Sequence, residues 1–408
     1  MKKSPLIVAL LIVTAFARTE AGQPSKLIVH EWGTFTNFAG SDGAYMDYRP
    51  LVGSDLPAFV FDRSKQTLLT NKIEAGVYSK GRIVTRSRME TPVTYFYTDK
   101  PMVVEARVDF PRGLLTEFYP PGIAMAPLAV PGEEAPPIGK SFLNWGWINL
   151  LPQNGPMAGP PHIPPVEKGN PYAAARETDS DIVRAMNPSG YFDERFLFYR
   201  GVGNFDLPVK MLSLGNDRFT VSNTGRDPIH AAFLVQVHEG RIRFAHVGSI
   251  THDATILLPT EPRTLDALGD AMANDLVAEG LYAKESRAMV NTWKASWFGE
   301  EGTRLLYLLP QSFTDAELPL RINPKPSTCL RVMVGRLETL TPEMESRIGR
   351  LLGQVSSDDC AAREEALRQL HLLGRFAEPA LQRIARGNTD PSSRGRLEMV
   401  LAELRSEE

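Results

Sequence analysis

The chain has 408 residues, with 45 Lys and Arg against 48 Asp and Glu, which gives a formal net charge of −3. Such mild acidity gives no electrostatic reason to expect nucleic acid or an anionic membrane surface as a partner. The length suggests two or three domains and enough apolar material for a substantial core.

Residues 1–17 have the organisation of a secretory signal peptide. Lys2 and Lys3 precede an apolar run that ends on the A-x-A cleavage pattern at residues 15–17. The run is short for a bilayer span, and no later stretch is long and apolar enough, so no transmembrane segment is expected after cleavage. The sequence therefore predicts a secreted or periplasmic protein, with an uncleaved anchor as the alternative.

A β-rich N-terminal part is predicted over residues 25–120. Leu27 to Thr36 is typical of a strand in its β-branched and aromatic content. His30 and Glu31 are adjacent in its middle, where burial makes polar groups costly unless they are bonded. Further strand patterns, which suggest an antiparallel meander, cover residues 88–97, 102–110 and 113–119.

The composition changes over residues 121–190, because thirteen of the 32 prolines lie between Pro120 and Pro171. Proline fixes φ and removes a backbone donor, so this spacing predicts a surface excursion or a flexible linker without regular structure. Trp145 and Trp147 indicate that part of the excursion is held in place. A short helix is expected at residues 179–186.

Residues 191–340 return to strand patterning, with helices predicted at 262–297 from apolar spacing near 3.6. The run at residues 304–309 is apolar on both faces, so it should be central in its sheet. Another strand is expected at residues 330–337. These elements complete a β-rich body.

An all-helical module is predicted over residues 341–408. Thr341 and Pro342 provide a capping residue followed by proline at the first helical position. The run from residue 372 to 381 resembles the junction between the helices of a HEAT-like repeat, and this resemblance covers residues 358–405. One or two such hairpins are too few for a self-standing solenoid, so the module should pack on the body.

The chain contains two cysteines, Cys329 and Cys360. Export would place them where disulfides persist, and a bridge between them would join the helical module to the body. Two free thiols are the alternative, because a disulfide needs Cα atoms about 4.4 to 6.8 Å apart.

Four motifs together resemble a group of secreted bacterial proteins with no assigned activity. They are HEWGTFT at residues 30–36, ETPVTYFY at 90–97, AARETD at 174–179 and EGTRLLY at 301–307. The resemblance covers most of residues 26–340. It implies no particular reaction, substrate or catalytic residue.

The candidate catalytic residues are His30, Glu31, Glu90, Glu177 and Asp179. His30 or Glu31 could act as a general base, or a divalent metal could be held together with Glu90 and the carboxylates of residues 176–179. Neighbours in a strand point to opposite faces, so at most one of His30 and Glu31 faces a given pocket. The alternative is a set of structural side chains, bonded within the sheet or paired with arginines.

Candidate ligand contacts are Trp32, Trp145 and Trp147, since aromatic side chains commonly line ligand sites and could stack on sugars. Aromatics at such spacings are more often part of the core. Standard catalytic patterns are missing from the sequence, which has no G-x-S-x-G, H-E-x-x-H, P-loop or C-x-x-C motif.

The sequence therefore predicts an α+β fold with a β-rich antiparallel, sandwich-like body and a small helical, HEAT-like C-terminal module. Two functions are retained. The first is an extracytoplasmic binding or scaffold protein with a protein or polysaccharide partner. The second is a metal-assisted or acid–base hydrolase of an exported polymer that uses the histidine and carboxylates above.

Overall fold

A computed structural model describes residues 26–51, 56–65, 78–128, 136–153, 160–187, 190–355, 359–373, 376–387, 395 and 397–402. The predicted signal peptide at residues 1–17 lies outside the described residues. The body is a β-rich sandwich, and a helical module follows it at the C-terminus, as the sequence predicts.

The body is built mainly from β-strands. In chain order they are β1 (Leu27–Ala39), β2 (Tyr45–Met46), β3 (Phe61–Asp62), β4 (Ser87–Thr98), β5 (Met102–Phe110), β6 (Gly113–Tyr119), β7 (Ala124–Ala126), β8 (Ser141–Leu151), β9 (Ile182–Asn187), β10 (Gly190–Glu194), β11 (Leu197–Gly203), β12 (Val209–Ser213), β13 (Arg218–Asn223), β14 (Ala232–His238), β15 (Arg241–Val247), β16 (Asp253–Leu257), β17 (Gly302–Leu309), β18 (Leu320–Asn323) and β19 (Thr328–Thr339).

The main sheet has the strand order β15-β14-β17-β19-β1-β4-β11-β6-β3, with β2 paired to β1. Its central pair is parallel, since β1 runs beside β19 from Ile28 opposite Thr328 to Ala39 opposite Thr339. The other pairs of this sheet are antiparallel. β17 lies between β14 and β19, which confirms its predicted central position.

A second sheet, of order β10-β9-β8-β5-β18 with β7 paired to β8, packs on one face of the main sheet. Trp145 of this second sheet lies with its ring centroid 6.0 Å from that of Tyr199 in the main sheet. Phe205 forms a similar aromatic link, because it contacts Phe35 at 5.6 Å and Phe110 at 6.0 Å. A small third sheet has the order β12-β13-β16.

The helices are α1 (Leu265–Ala278), α2 (Ala283–Lys294), α3 (Gln311–Glu317), α4 (Pro342–Val355), α5 (Cys360–Leu372) and α6 (Ala377–Gly387), and residues 397–402 are helical as well. Thr341 caps α4, because its hydroxyl accepts a hydrogen bond from the Met344 amide at 3.3 Å. Within the described residues, no helix is long and apolar enough to cross a membrane.

The C-terminal module packs on the body through a shared apolar cluster. Phe38, Met46 and Tyr48 belong to the same buried cluster as Ile348 and Phe376 of the module. The rings of Phe38 and Phe376 are 5.5 Å apart. The resemblance of residues 372–381 to a HEAT-like junction stays a prediction, and residues 374–375 lie outside the described part.

The structure corrects two expectations about the proline-rich region. Regular strands β7 and β8 run within residues 120–171, because all thirteen prolines of this region stand outside Ala124–Ala126 and Ser141–Leu151. The helix expected at residues 179–186 is wrong, since Ile182–Asn187 forms the strand β9 between β8 and β10.

The meander expected from β4, β5 and β6 is also wrong. β4 and β6 belong to the main sheet, where both pair with β11, whereas β5 pairs with β8 and β18 in the second sheet. The short connection at residues 99–101 therefore carries the chain between the two layers of the sandwich.

The predicted disulfide is wrong, since Cys329 and Cys360 are both free and exposed. Cys360 opens α5 in the helical module. Cys329 lies near the start of β19, and about 33 Å of extended strand separates it from Thr339, where the module begins to follow. Cys329 therefore lies at the end of β19 that is away from the module.

Candidate functional site

His30 and Glu31 lie on opposite faces of the main sheet, as strand alternation predicts. His30 contacts Glu285 and Tyr282 at the start of α2. Glu31 contacts Tyr199, on the face that packs on the second sheet. One candidate is therefore covered by helices and the other lies inside the sandwich.

A buried carboxylate holds His30 in position. His30 Nδ1 lies 2.8 Å from Glu285 Oε2. Glu285 also accepts hydrogen bonds from the Tyr97 hydroxyl at 2.6 Å and the Tyr282 amide at 2.7 Å. Burial and the charge of Glu285 raise the pKa of Tyr97, which keeps its phenol protonated as a donor.

The carboxylate partner of His30 was missed because it lies 255 positions away in the sequence. A local signal exists, since Glu285 is the third residue of α2 and caps the Tyr282 amide. His30 is 3 % exposed, and its Nε2 makes no hydrogen bond to the described part of the chain. The Glu285 carboxylate and the Tyr282 ring, whose centroid is 4.6 Å from that of His30, therefore hold the imidazole inside the protein.

Glu31 has a structural environment. It accepts hydrogen bonds from the Thr94 hydroxyl at 2.7 Å, the Tyr199 hydroxyl at 2.8 Å and Arg331 Nε at 2.7 Å. Burial acts to lower the pKa of Arg331, but the adjacent charge of Glu31 raises it overall. Glu31 thus fixes β1, β4, β11 and β19 to one another.

Glu90 is likewise engaged within the main sheet. It accepts a hydrogen bond from the Thr36 hydroxyl at 2.9 Å and forms an ion pair with Arg88 at 3.1 Å. Nearby Arg336 adds positive charge, although its own hydrogen bonds go to Glu338 and Glu300. Glu90 is therefore a compensated carboxylate of the sheet.

Residues 176–179 approach the start of α2 from outside. Glu177 is exposed, and exposed Asp179 forms an ion pair at 2.5 Å with Lys284, the residue before Glu285. Arg176 instead pairs with the buried Glu194 at 2.6 Å. His30 and Asp179 thus contact neighbouring residues in the first turn of α2, Glu285 and Lys284. Glu31 and Glu90 are bonded elsewhere in the main sheet.

The candidate carboxylates do not form a metal centre in the described part of the chain. Among the described residues, no group of three or more His, Cys, Asp or Glu side chains is placed to hold a metal ion. The acid–base version of the hydrolase hypothesis consequently rests on His30 and Glu285 alone.

The three candidate tryptophans separate into core and surface. Trp32 and Trp145 are completely buried, and Trp145 Nε1 donates a hydrogen bond to the Pro120 carbonyl at 2.8 Å. Trp147, in contrast, is 60 % exposed. It lies on the outer face of the second sheet, opposite Glu105 of β5.

A bulge at Gly146 explains why two tryptophans spaced by two residues point to opposite faces. The register of β8 against β5 shifts at this point, since Ala106 faces Gly146 while Arg107 faces Asn144. Gly146 has φ of +67°, which favours glycine, and an added Cβ would lie 2.5 Å from Ile123 Cδ1. The sequence Trp-Gly-Trp therefore encodes one core residue and one surface residue.

Trp147 belongs to a row of exposed side chains that we call the aromatic stripe, made of Trp147, Met186 and Tyr191. Met186 is 54 % and Tyr191 is 69 % exposed. Tyr191 of β10 lies opposite Met186 of β9. Ile148 of β8 lies opposite Ala185 of β9, so the next residues in the same register, Trp147 and Met186, are also neighbours. With strands about 4.8 Å apart, the stripe spans about 10 Å.

Polar side chains flank the aromatic stripe. Arg184 forms two hydrogen bonds to Asp193, at 2.7 and 2.8 Å, and its guanidinium lies 6.0 Å from the ring centroid of Tyr191. Asn149 pairs with Arg184 in the next strand, and Glu105 pairs with Trp147. The outer face thus combines flat apolar surface with hydrogen-bonding groups.

Comparisons with known proteins give no family for this chain. No family model matches it, and no curated protein matches it. Among solved structures, a similar chain is the Fcho1 Mu homology domain of Danio rerio with bound Eps15 peptide. That match has 9 % identity and a TM-score of 0.26, over 78 % of this chain and 97 % of the other.

Proposed function

We propose that this chain is an extracytoplasmic polysaccharide-binding protein and that the aromatic stripe is its binding surface. The observation that carries the proposal is the row of Trp147, Met186 and Tyr191, each more than half exposed on three adjacent strands. Contiguous exposed apolar side chains rimmed by polar residues mark interaction sites. Export rests on the signal-like pattern of residues 1–17.

The chemistry of the stripe favours a sugar polymer over an apolar ligand. Aromatic faces carry partial negative charge, which attracts the C–H faces of sugar rings. Glu105, Asn149 and Arg184 place hydrogen-bonding groups on the same sheet face, where they can contact hydroxyl groups. Because the stripe lies across a sheet face, a chain of several sugars can extend beyond both ends.

The experiment is a pull-down of the purified mature protein on insoluble cellulose, chitin, xylan and β-1,3-glucan, followed by titration with soluble oligosaccharides. Trp147→Ala and Tyr191→Ala should each weaken binding at least about tenfold, equivalent to ~1.4 kcal/mol. Leu257→Ala is the matched control, because Leu257 is equally exposed but belongs to the third sheet. Retention of none of these polymers, or equal retention by Trp147→Ala, would contradict the proposal.

A second candidate function, acid–base hydrolysis of an exported polymer, is favoured by the pairing of His30 with Glu285. Glu285 lies against Nδ1, so the acid–base role falls to Nε2, which a polymer reaches only if the Tyr282 ring moves off the buried imidazole. Release of reducing ends from the same polymers tests this function. His30→Gln should reduce the rate about 100-fold, whereas Lys284→Ala, next to Glu285, should leave it unchanged. No release by the unaltered protein would reject it.

A further inference from the structure

A cleft of about 640 Å³ lies between the helical module and the main sheet, where β14 ends and β17 begins. It is lined by Val237, Glu301, Met344, Arg347, Leu373 and Phe376, among others. Its volume falls within the roughly 300–1,000 Å³ of small-molecule sites, which occur preferentially where two structural units meet.

The walls of the cleft are fixed by close packing. Phe376 of the module lies against Gly302 at the start of β17, where an added Cβ would be 2.6 Å from the phenyl ring. On the sheet side, the buried Arg304 donates hydrogen bonds to the carbonyls of Glu300 at 2.6 Å and Glu301 at 3.0 Å. These hydrogen bonds from Arg304 fix the backbone position of Glu300 and Glu301.

Two opposite charges face this cleft without strong pairing. Glu301 is 61 % exposed on the sheet wall, and within the described residues its carboxylate accepts a hydrogen bond from the Gly240 amide at 3.3 Å and lies 3.7 Å from His238 Nδ1. Arg347 on α4 is exposed and bonds to the neutral amide of Gln369, with no carboxylate partner in the described part of the chain. An acidic group on one wall thus accompanies a basic group on the other.

Apolar side chains occupy the space between these charges. Val237, Met344, Leu373 and Phe376 line the cleft and supply a surface for apolar groups. A ligand that matches the whole cleft carries a cation at one end, an anion at the other and apolar groups between them.

We infer that the cleft binds a short peptide with free termini and apolar side chains. Glu301 receives the terminal ammonium, Arg347 receives the terminal carboxylate, and the apolar wall receives the side chains. The inference does not depend on the aromatic stripe, which lies on the second sheet. Because both charges are solvent-exposed, the affinity should be modest, with a Kd of about 10 μM to 1 mM.

The test is isothermal titration calorimetry of the mature protein with tri-leucine bearing free termini. The blocked peptide N-acetyl-tri-leucine amide should bind at least about tenfold more weakly. Glu301→Lys and Arg347→Glu should each weaken binding of the free peptide about tenfold or more, while circular dichroism stays unchanged because both side chains are exposed.

The matched control is Arg350→Glu, which makes the same charge change on an exposed side chain of α4 outside the cleft lining. Its affinity for the free peptide should equal that of the unaltered protein. The inference is overturned if no heat is observed up to about 5 mM peptide, if the blocked peptide binds equally well, or if Arg350→Glu weakens binding as much as Arg347→Glu.

Discussion

His30 Nδ1 lies 2.8 Å from Glu285 Oε2, although 255 positions separate the two residues in the chain. The contact ties the N-terminal part of β1 to the first turn of α2, and Tyr97 and Tyr282 add two more hydrogen bonds to the same carboxylate. A single buried side chain thus joins the main sheet to the helices that cover it.

The substitution Glu285→Ala should lower the free energy of unfolding by about 3 kcal/mol, because it leaves the Tyr97 hydroxyl and His30 Nδ1 without their partner. Urea unfolding followed by tryptophan fluorescence measures the change. Lys284→Ala is the neighbouring control, and loss of its exposed ion pair with Asp179 should cost less than about 1 kcal/mol. Equal effects of the two substitutions would show that the carboxylate contributes little.

Removing the charge partner of Glu31 should destabilise the sandwich strongly. Arg331→Met leaves the buried carboxylate of Glu31 uncompensated and should cost about 3–5 kcal/mol in urea unfolding. Adding Glu31→Gln should recover part of the loss, because no buried charge then remains. Asp315→Asn is the control, since Asp315 bonds to the same Arg331 but is half exposed. A double variant less stable than Arg331→Met would contradict this explanation.

The bulge that exposes Trp147 can be tested with Gly146→Ala. The substitution introduces a Cβ at positive φ and against Ile123, so stability should fall by about 1–3 kcal/mol. Polysaccharide retention should fall as well if the stripe is the binding surface. Gly248→Ala, where an added Cβ meets no atom within 4 Å, should change neither measurement. Unchanged stability of Gly146→Ala would rule out a strained bulge.

Acid should loosen the helical module before the body. Hydrogen bonding to Arg383 lowers the pKa of Asp42 from 3.8. Burial acts to raise the pKa of Asp47, but hydrogen bonding to Arg386 lowers it overall from 3.8. The pairs therefore stabilise docking fully above the unfolded-state pKa, and this stabilisation is lost as pH falls through the lower folded-state values.

Hydrogen exchange in α6 measures this loss, and its rate relative to α1 should rise as the pH is lowered below about 4. The double variant Asp42→Asn with Asp47→Asn should show faster exchange in α6 already at pH 7 and a weaker dependence on pH. An identical pH response of α6 and α1 in the unaltered protein would contradict the assignment.

Local sequence patterns predicted the positions of strands and helices better than they predicted which strands pair with each other. The apolar pattern at residues 304–309 identified a central strand, and Thr341 correctly marked the start of α4. Residues 88–97 and 102–110 were expected to be neighbours in a meander, but β4 and β5 belong to different sheets. Sheet membership depends on pairings between distant residues, which a local pattern does not contain.

The candidate site was predicted in part. Strand alternation correctly placed His30 and Glu31 on opposite faces, and exposed Trp147 was among the proposed ligand contacts. Met186 was missed because residues 179–186 were assigned to a helix, whereas β9 and β10 form a hairpin in which Met186 and Tyr191 are opposite each other on one sheet face. Glu285 was missed because its contact with His30 spans most of the chain.

The parallel pairing of β1 with β19 has a consequence for biogenesis. Each partner lies 300 positions further along the chain, from Ile28 with Thr328 to Ala39 with Thr339. One edge of β1 therefore stays open until almost the whole body has been synthesised, although β4 can cover the other edge earlier. Such non-local closure slows folding and prolongs exposure of an aggregation-prone strand edge. If the chain is exported as proposed, the main sheet is completed only after translocation of β19.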